Sequence, residues 1–173
     1  LLAMTTATFY AFLGGAPIVL GSYGVKPDGV GFYIMAIPGS YIVGNYLTSS
    51  MVRQHGERRL MVLGQVTTLV GLGLSITCAL AGFDTALAFA LPLMLLGLGH
   101  GFLMPPSLTG TVSLIPGLAG SAAAVAGLMQ QLMGASAGYA VGLLPGAGPL
   151  DLGLLMLGLT LLALVAQLLL HRR

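Results

Sequence analysis

The chain has 173 residues, of which 57% are hydrophobic and only 6% charged, whereas soluble domains carry roughly a quarter charged residues. So few charges cannot cover a water-exposed surface, which excludes an ordinary soluble domain. The net charge of +2 comes mainly from two short basic sites, not from a Lys/Arg stripe interleaved with aromatics, which excludes a nucleic-acid partner.

No Asp, Glu, Lys or Arg lies between Leu60 and Phe83 or between Thr85 and Leu150. Such stretches reach or exceed the roughly 20 apolar residues that cross a bilayer core. Cys78 is the single cysteine and lies within an apolar run, so neither an intrachain disulfide nor a cysteine metal cluster can form. The opening Leu1-Leu2-Ala3-Met4 has no basic n-region and no small-residue cleavage site, so no signal peptide is expected. Its immediate entry into a hydrophobic segment suggests a truncated start.

The first predicted span covers residues 1–23 and closes on Gly24-Val25-Lys26-Pro27-Asp28-Gly29, a turn cluster with both charge signs. The second, 30–52, runs into the polar stretch Arg53-Gln54-His55-Gly56-Glu57-Arg58-Arg59, expected to be a loop. The third is 60–82, and Phe83-Asp84-Thr85 separates it from the fourth, 87–108. A connection at Leu114-Ile115-Pro116-Gly117 leads to the fifth, 119–142. Leu144-Pro145-Gly146-Ala147-Gly148-Pro149 leads to the sixth, 152–170, which ends in His171-Arg172-Arg173.

Backbone in hydrocarbon must satisfy its own hydrogen bonds, so these spans are predicted to be helices and the fold an all-α membrane protein. The alternating ten-residue pattern of an outer-membrane barrel is absent. Arg53, Arg58, Arg59, Arg172 and Arg173 fall on one side of a six-span arrangement and Lys26 on the other. Short basic loops stay in the cytoplasm. The expectation is a multi-pass protein of the inner (cytoplasmic) membrane with both ends cytoplasmic.

Nearly all ionisable residues sit at loops; His100, within Gly97-Leu98-Gly99-His100-Gly101, lies inside the fourth span. An ionisable group at membrane depth points to function, and two readings stand: a neutral imidazole hydrogen-bonded to a neighbouring helix, or a cavity-lining residue. Gln130 and Gln131 are amides in mid-span that need partners. Gly134, Gly138 and Gly142 form a small-residue ridge suited to close helix packing. Pro17, Pro38 and Pro105-Pro106 interrupt three spans, as helix breaks beside transport pathways do. Phe9 and Phe12, Tyr41 and Asn45, and Met104 are candidates for an aromatic, adaptable pocket wall. Nucleophile elbows, zinc-protease pairs and phosphate loops are all missing, so no catalytic residue, metal ligand or cofactor is assigned and the protein is expected not to be an enzyme.

In their order, these features resemble the C-terminal six helices of the major facilitator superfamily, and most of all the drug:proton antiporters of the bicyclomycin-resistance (Bcr/CflA) type. The resemblance rests on the stretch from Phe9 to Leu20, on Val30-Gly31-Phe32-Tyr33, and on Pro105 followed by Pro116-Gly117-Leu118-Ala119-Gly120-Ser121-Ala122 and a later Gln130. The Arg53–Arg59 stretch resembles the superfamily's basic loop motif, making Arg53, Gly56 and Arg58 gating candidates; its Arg and Gly stand one residue further apart, and no Asp precedes Arg53. Pro106 stands where the family usually has Asn.

The resemblance implies a twelve-helix transporter whose halves expose a central cavity alternately to each side. Spans one, two, four and five would line that cavity, bringing His100, Gln130, Asn45 and the Thr5-Thr6-Thr8 cluster to it. Spans three and six would face lipid, against which Gln65, Thr67 and Thr68 are a counter-signal. The expected function is proton-coupled efflux of small amphiphilic drugs or toxic compounds. Its partners would be the bilayer, a small-molecule substrate, protons and an N-terminal six-helix half that supplies the proton-coupling carboxylate. Two other readings are transport of a polar metabolite such as a sugar, and a non-transporting membrane assembly subunit.

Overall fold

The protein is described by a computed structural model covering residues 1–113, 116–144, 146 and 148–171, with Pro116, Leu170 and His171 described by backbone alone. Leu114, Ile115, Pro145, Ala147, Arg172 and Arg173, on which parts of the predicted loops and the basic C-terminus fall, lie outside the described residues.

The fold is all-α. Six long helices follow one another: α1 (Leu2–Ser22), α2 (Pro27–His55), α3 (Glu57–Leu80), α4 (Ala86–Ser113), α5 (Ala119–Gly142) and α6 (Pro149–His171). A short 3-10 turn, Pro116–Leu118, precedes α5. Pro27 at the first position and Asp28 in the first turn start α2, because proline loses no bond there and a carboxylate suits the positive helix end.

The polar stretch from Arg53 to Arg59 is not a loop. Helix α2 continues to His55 and α3 begins at Glu57, leaving only Gly56 between them at φ 75° and ψ 154°. Arg, Gln and Glu are good helix formers, so the two helices extend until glycine, free to take positive φ, reverses the chain. The interior prolines do not end their helices either: α4 contains Pro92, Pro105 and Pro106 and still runs 28 residues. At 1.5 Å per residue that is about 42 Å, longer than the roughly 30 Å hydrocarbon core.

Among the described residues four helices, α1, α3, α4 and α6, are long and apolar enough to cross a membrane. Polar and small residues dilute the other two: Tyr41, Asn45, Thr48, Ser49 and Ser50 in α2, and Gln130, Gln131 and many Gly and Ala in α5.

Helix α4 packs extensively between α2 and α3, and α1 packs against α5 and, less broadly, α6. Exchanging α1, α2, α3 with α4, α5, α6 maps these pairs onto each other. Thus α1 with α5 becomes α4 with α2, α1 with α6 becomes α4 with α3, and the smaller α1–α2 contact becomes α4–α5.

Small residues set the closest approach. A methyl on Gly44 would lie 2.5 Å from the Leu98 carbonyl oxygen and 2.9 Å from Gly101 Cα. One turn on, Thr48 Oγ1 donates to the Gly101 carbonyl at 2.9 Å. At the opposite end of the bundle, the phenol of Tyr23, the α1 cap, is pushed above its ordinary range by burial and then by the Asp84 carboxylate.

The exposed faces of α3 and α6 are aliphatic. Val62, Val66, Val70 and Leu74 recur every fourth residue on α3, and Leu154, Leu161, Val165 and Leu168 lie open on α6. Gln65, the counter-signal in α3, is buried and donates its Nε2 to the Thr160 carbonyl of α6 at 2.7 Å. Gln65→Ala is expected to cost about 2 kcal/mol, roughly 1 from the interhelical bond and the rest from lost packing. Gln65→Leu, which restores volume only, should cost less than half as much. Unfolding titrations in micelles check both, and equal losses for the two variants would refute a contribution from the bond.

Candidate functional site

A cavity of about 230 Å³ lies between α1, α2 and α4. Helix α1 contributes Thr6 and Phe9, α2 contributes Ile37, Pro38 and Tyr41, and α4 contributes Gly97, His100 and Met104. Within each helix these residues are three or four positions apart or adjacent to one that is, so each set shares a face. Gly97 lets the wall close, since a methyl there would collide with Ser40 Oγ and the Ile37 carbonyl of α2.

The cavity therefore brings together Phe9, Tyr41, His100, Met104 and Pro38 from the residues singled out in the sequence. His100 is 4% exposed and Thr6 8%. The His100 ring makes no hydrogen bond to another described residue, so the bridge to a neighbouring helix that one reading required is not formed. The three threonines at the start of α1 differ sharply. Thr5 and Thr8 donate to carbonyls four residues back, Leu1 at 3.3 Å and Met4 at 3.1 Å. Thr6 Oγ1 is buried with no partner among the described residues. Sequence placed all three on a lining helix; it does not tell which hydroxyl escapes back-bonding.

Other candidates stand elsewhere. Phe12 is in the core, its ring stacked 6.4 Å from Phe89 and from Phe9; a three-residue step rotates it past the cavity face that Thr6 and Phe9 share. Asn45 turns back to donate to the Tyr41 carbonyl at 2.9 Å, and it is not among the cavity residues. Gln130 is half-buried with its Nε2 3.9 Å from Met104 Sδ, and it is not among the cavity residues. Gln131 accepts a 3.2 Å bond from Tyr10 Oη across the α1–α5 contact. Gly134 lies beneath the Tyr10 ring and Gly138 beside Gly14, so the small-residue ridge seats α1.

Pro17 is exposed on α1 and Pro105 is half-buried on α4. Arg53, Gly56 and Arg58 are exposed at the α2–α3 junction. A second cavity of about 430 Å³ is lined by Leu2 and Ala3 of α1, Glu57 of α3, Pro106 and Ser107 of α4 and Met129 of α5. No protein-family model, curated protein or solved structure matches this chain.

Proposed function

We propose that the chain is half of a secondary transporter of the major facilitator type, with all six helices crossing the inner membrane and the cavity between α1, α2 and α4 forming part of the substrate path. The observation that carries this reading is a mostly apolar cavity lined by two buried polar side chains, His100 and Thr6, that make no side-chain hydrogen bond among the described residues. Ligand sites have that composition. The pairing exchange between α1–α3 and α4–α6 supports it. Three crossings reverse direction, so two such triplets are inverted with respect to each other, as in transporter repeats. Under this reading α2 and α5, the less apolar helices, are shielded by the opposing half, which supplies the proton-coupling carboxylate. The transported compounds are small amphiphiles moved outward against a proton gradient.

Growth of a drug-sensitive strain expressing the chain together with the opposing half tests the function. Phe9→Ala and His100→Ala are expected to lower resistance to at least one amphiphilic compound about tenfold at unchanged membrane levels, one contact's worth of binding free energy. Unchanged resistance in both variants counts against the cavity. The topology has its own test: with Cys78 replaced by Ser, Gln54→Cys should label with an impermeant thiol reagent only after the cells are opened. Labelling from outside in intact cells reverses the orientation drawn from the arginines.

A further inference from the structure

Arg59 stands apart from the other charges at the α2–α3 junction. Glu57 is the only acidic residue between Arg53 and Arg59, and two residues turn a helix by about 200°. Its carboxylate therefore leaves α3 on the opposite side, where with Met61 it lines the second cavity. Arg53, Arg58 and Arg59 are exposed, and none of them makes an ion pair or hydrogen bond with another described residue.

Along α3 from Arg59, the residues Val62, Val66 and Val70 follow at spacings that share its helical face. They are 47%, 52% and 49% exposed, and Leu63 at 41% widens the strip. From Arg59 to Val70 the strip is about 16 Å long at 1.5 Å per residue, close to one leaflet's half of the roughly 30 Å hydrocarbon core. Helix α3 is itself apolar enough to cross that core. A guanidinium at the head of a one-leaflet aliphatic strip matches a phospholipid in chemistry and in length. The planar fork pairs bidentately with a phosphate, and an acyl chain covers the valines. Three arginines against one glutamate leave the junction positive, which attracts an anionic headgroup. A zwitterionic headgroup offers the same phosphate but brings its own cation into the field of Arg53 and Arg58.

We infer that the exposed face of α3 is a docking site for an anionic phospholipid of the phosphatidylglycerol class, its phosphate held by Arg59 and one acyl chain lying along Val62, Val66 and Val70. The inference requires α3 to cross the membrane, as in the proposed function, but it does not require transport.

Native mass spectrometry of the monomer released from detergent micelles tests this, with dioleoyl phosphatidylglycerol and dioleoyl phosphatidylcholine added in turn. The unchanged chain is expected to retain phosphatidylglycerol about tenfold better than phosphatidylcholine. Arg59→Gln should lower phosphatidylglycerol retention about fivefold, whereas Arg58→Gln, off the strip, should lower it about twofold or less. Val66→Asn, a polar replacement of similar size on the exposed strip, should weaken both lipids alike. Inorganic phosphate in large excess should not displace the lipid, because it cannot use the strip. Equal retention of the two lipids, equal losses from the two arginine variants, unchanged retention in Val66→Asn, or displacement by phosphate overturns the inference. Retention is read without a gradient or an opposing half, so its loss leaves the transport reading standing, and a failed resistance assay leaves the lipid site standing.

Discussion

Gly101→Val is expected to destabilise the bundle by about 3 kcal/mol, at the upper end of overpacking costs, because the added atoms meet backbone and not yielding side chains. A methyl at Gly101 would stand 2.6 Å from Gly44 Cα and 2.7 Å from the Tyr41 carbonyl oxygen. Relief requires α2 and α4 to separate, which breaks the Thr48 to Gly101 bond of 2.9 Å and widens the cavity between Tyr41 and His100. Gly73 is the control: nothing lies within 4 Å of a methyl built there. Gly73→Ala should be neutral or stabilising by up to about 1 kcal/mol through helix propensity. Thermal unfolding in micelles compares the two, and equal midpoints would show that the α2–α4 contact does not set the stability.

The largest functional effect is expected from the chain by itself. Reconstituted alone into proteoliposomes, it should give no proton-linked uptake or efflux, since alternating access moves one bundle against another around a shared site. The exposed faces of α2 and α5 carry Tyr46, Ser49, Gln131 and Tyr139 among their apolar residues, and polar groups facing lipid favour self-association. Cross-linking should therefore trap oligomers while a pH-sensitive dye inside the vesicles stays silent. Gradient-dependent flux from the chain alone would overturn both the half-transporter proposal and the assignment of the coupling carboxylate to the other half.

Hydrophobic run length and charge placement made the helices legible: residues 119–142, bounded in the sequence by Pro116-Gly117 and Leu144-Pro145, are the helix α5. Charge density misled at Arg53–Arg59, where polar residues suggested a loop although their helix propensities favour two helix ends. Residue type singled out Phe9, Tyr41 and Met104 as wall candidates and His100 as an ionisable group at depth; that they share one cavity depends on how α1, α2 and α4 pack. Type and spacing did not separate Phe9 from Phe12, because a three-residue step leaves both on the inward side, and only the crossing of α1 over α4 decides which one meets the cavity and which meets Phe89. Thr6 was hidden for a different reason. Thr5 and Thr8 bond back to the backbone and Thr6 does not, and periodicity carries no information on that difference.

The single residue between α2 and α3 also has a consequence for how the protein is made. Gly56 leaves no slack, so under the six-span proposal the weakly apolar α2 is expected to enter the bilayer as one hairpin with α3, which is apolar enough to carry it. Yet the two arms barely touch each other compared with their contact to α4. Their inward glycines, Gly44 and Gly64, meet the Leu98 and Gly99 carbonyls of α4. Under that proposal the hairpin is expected to stay an open fork until α4 stands between its arms.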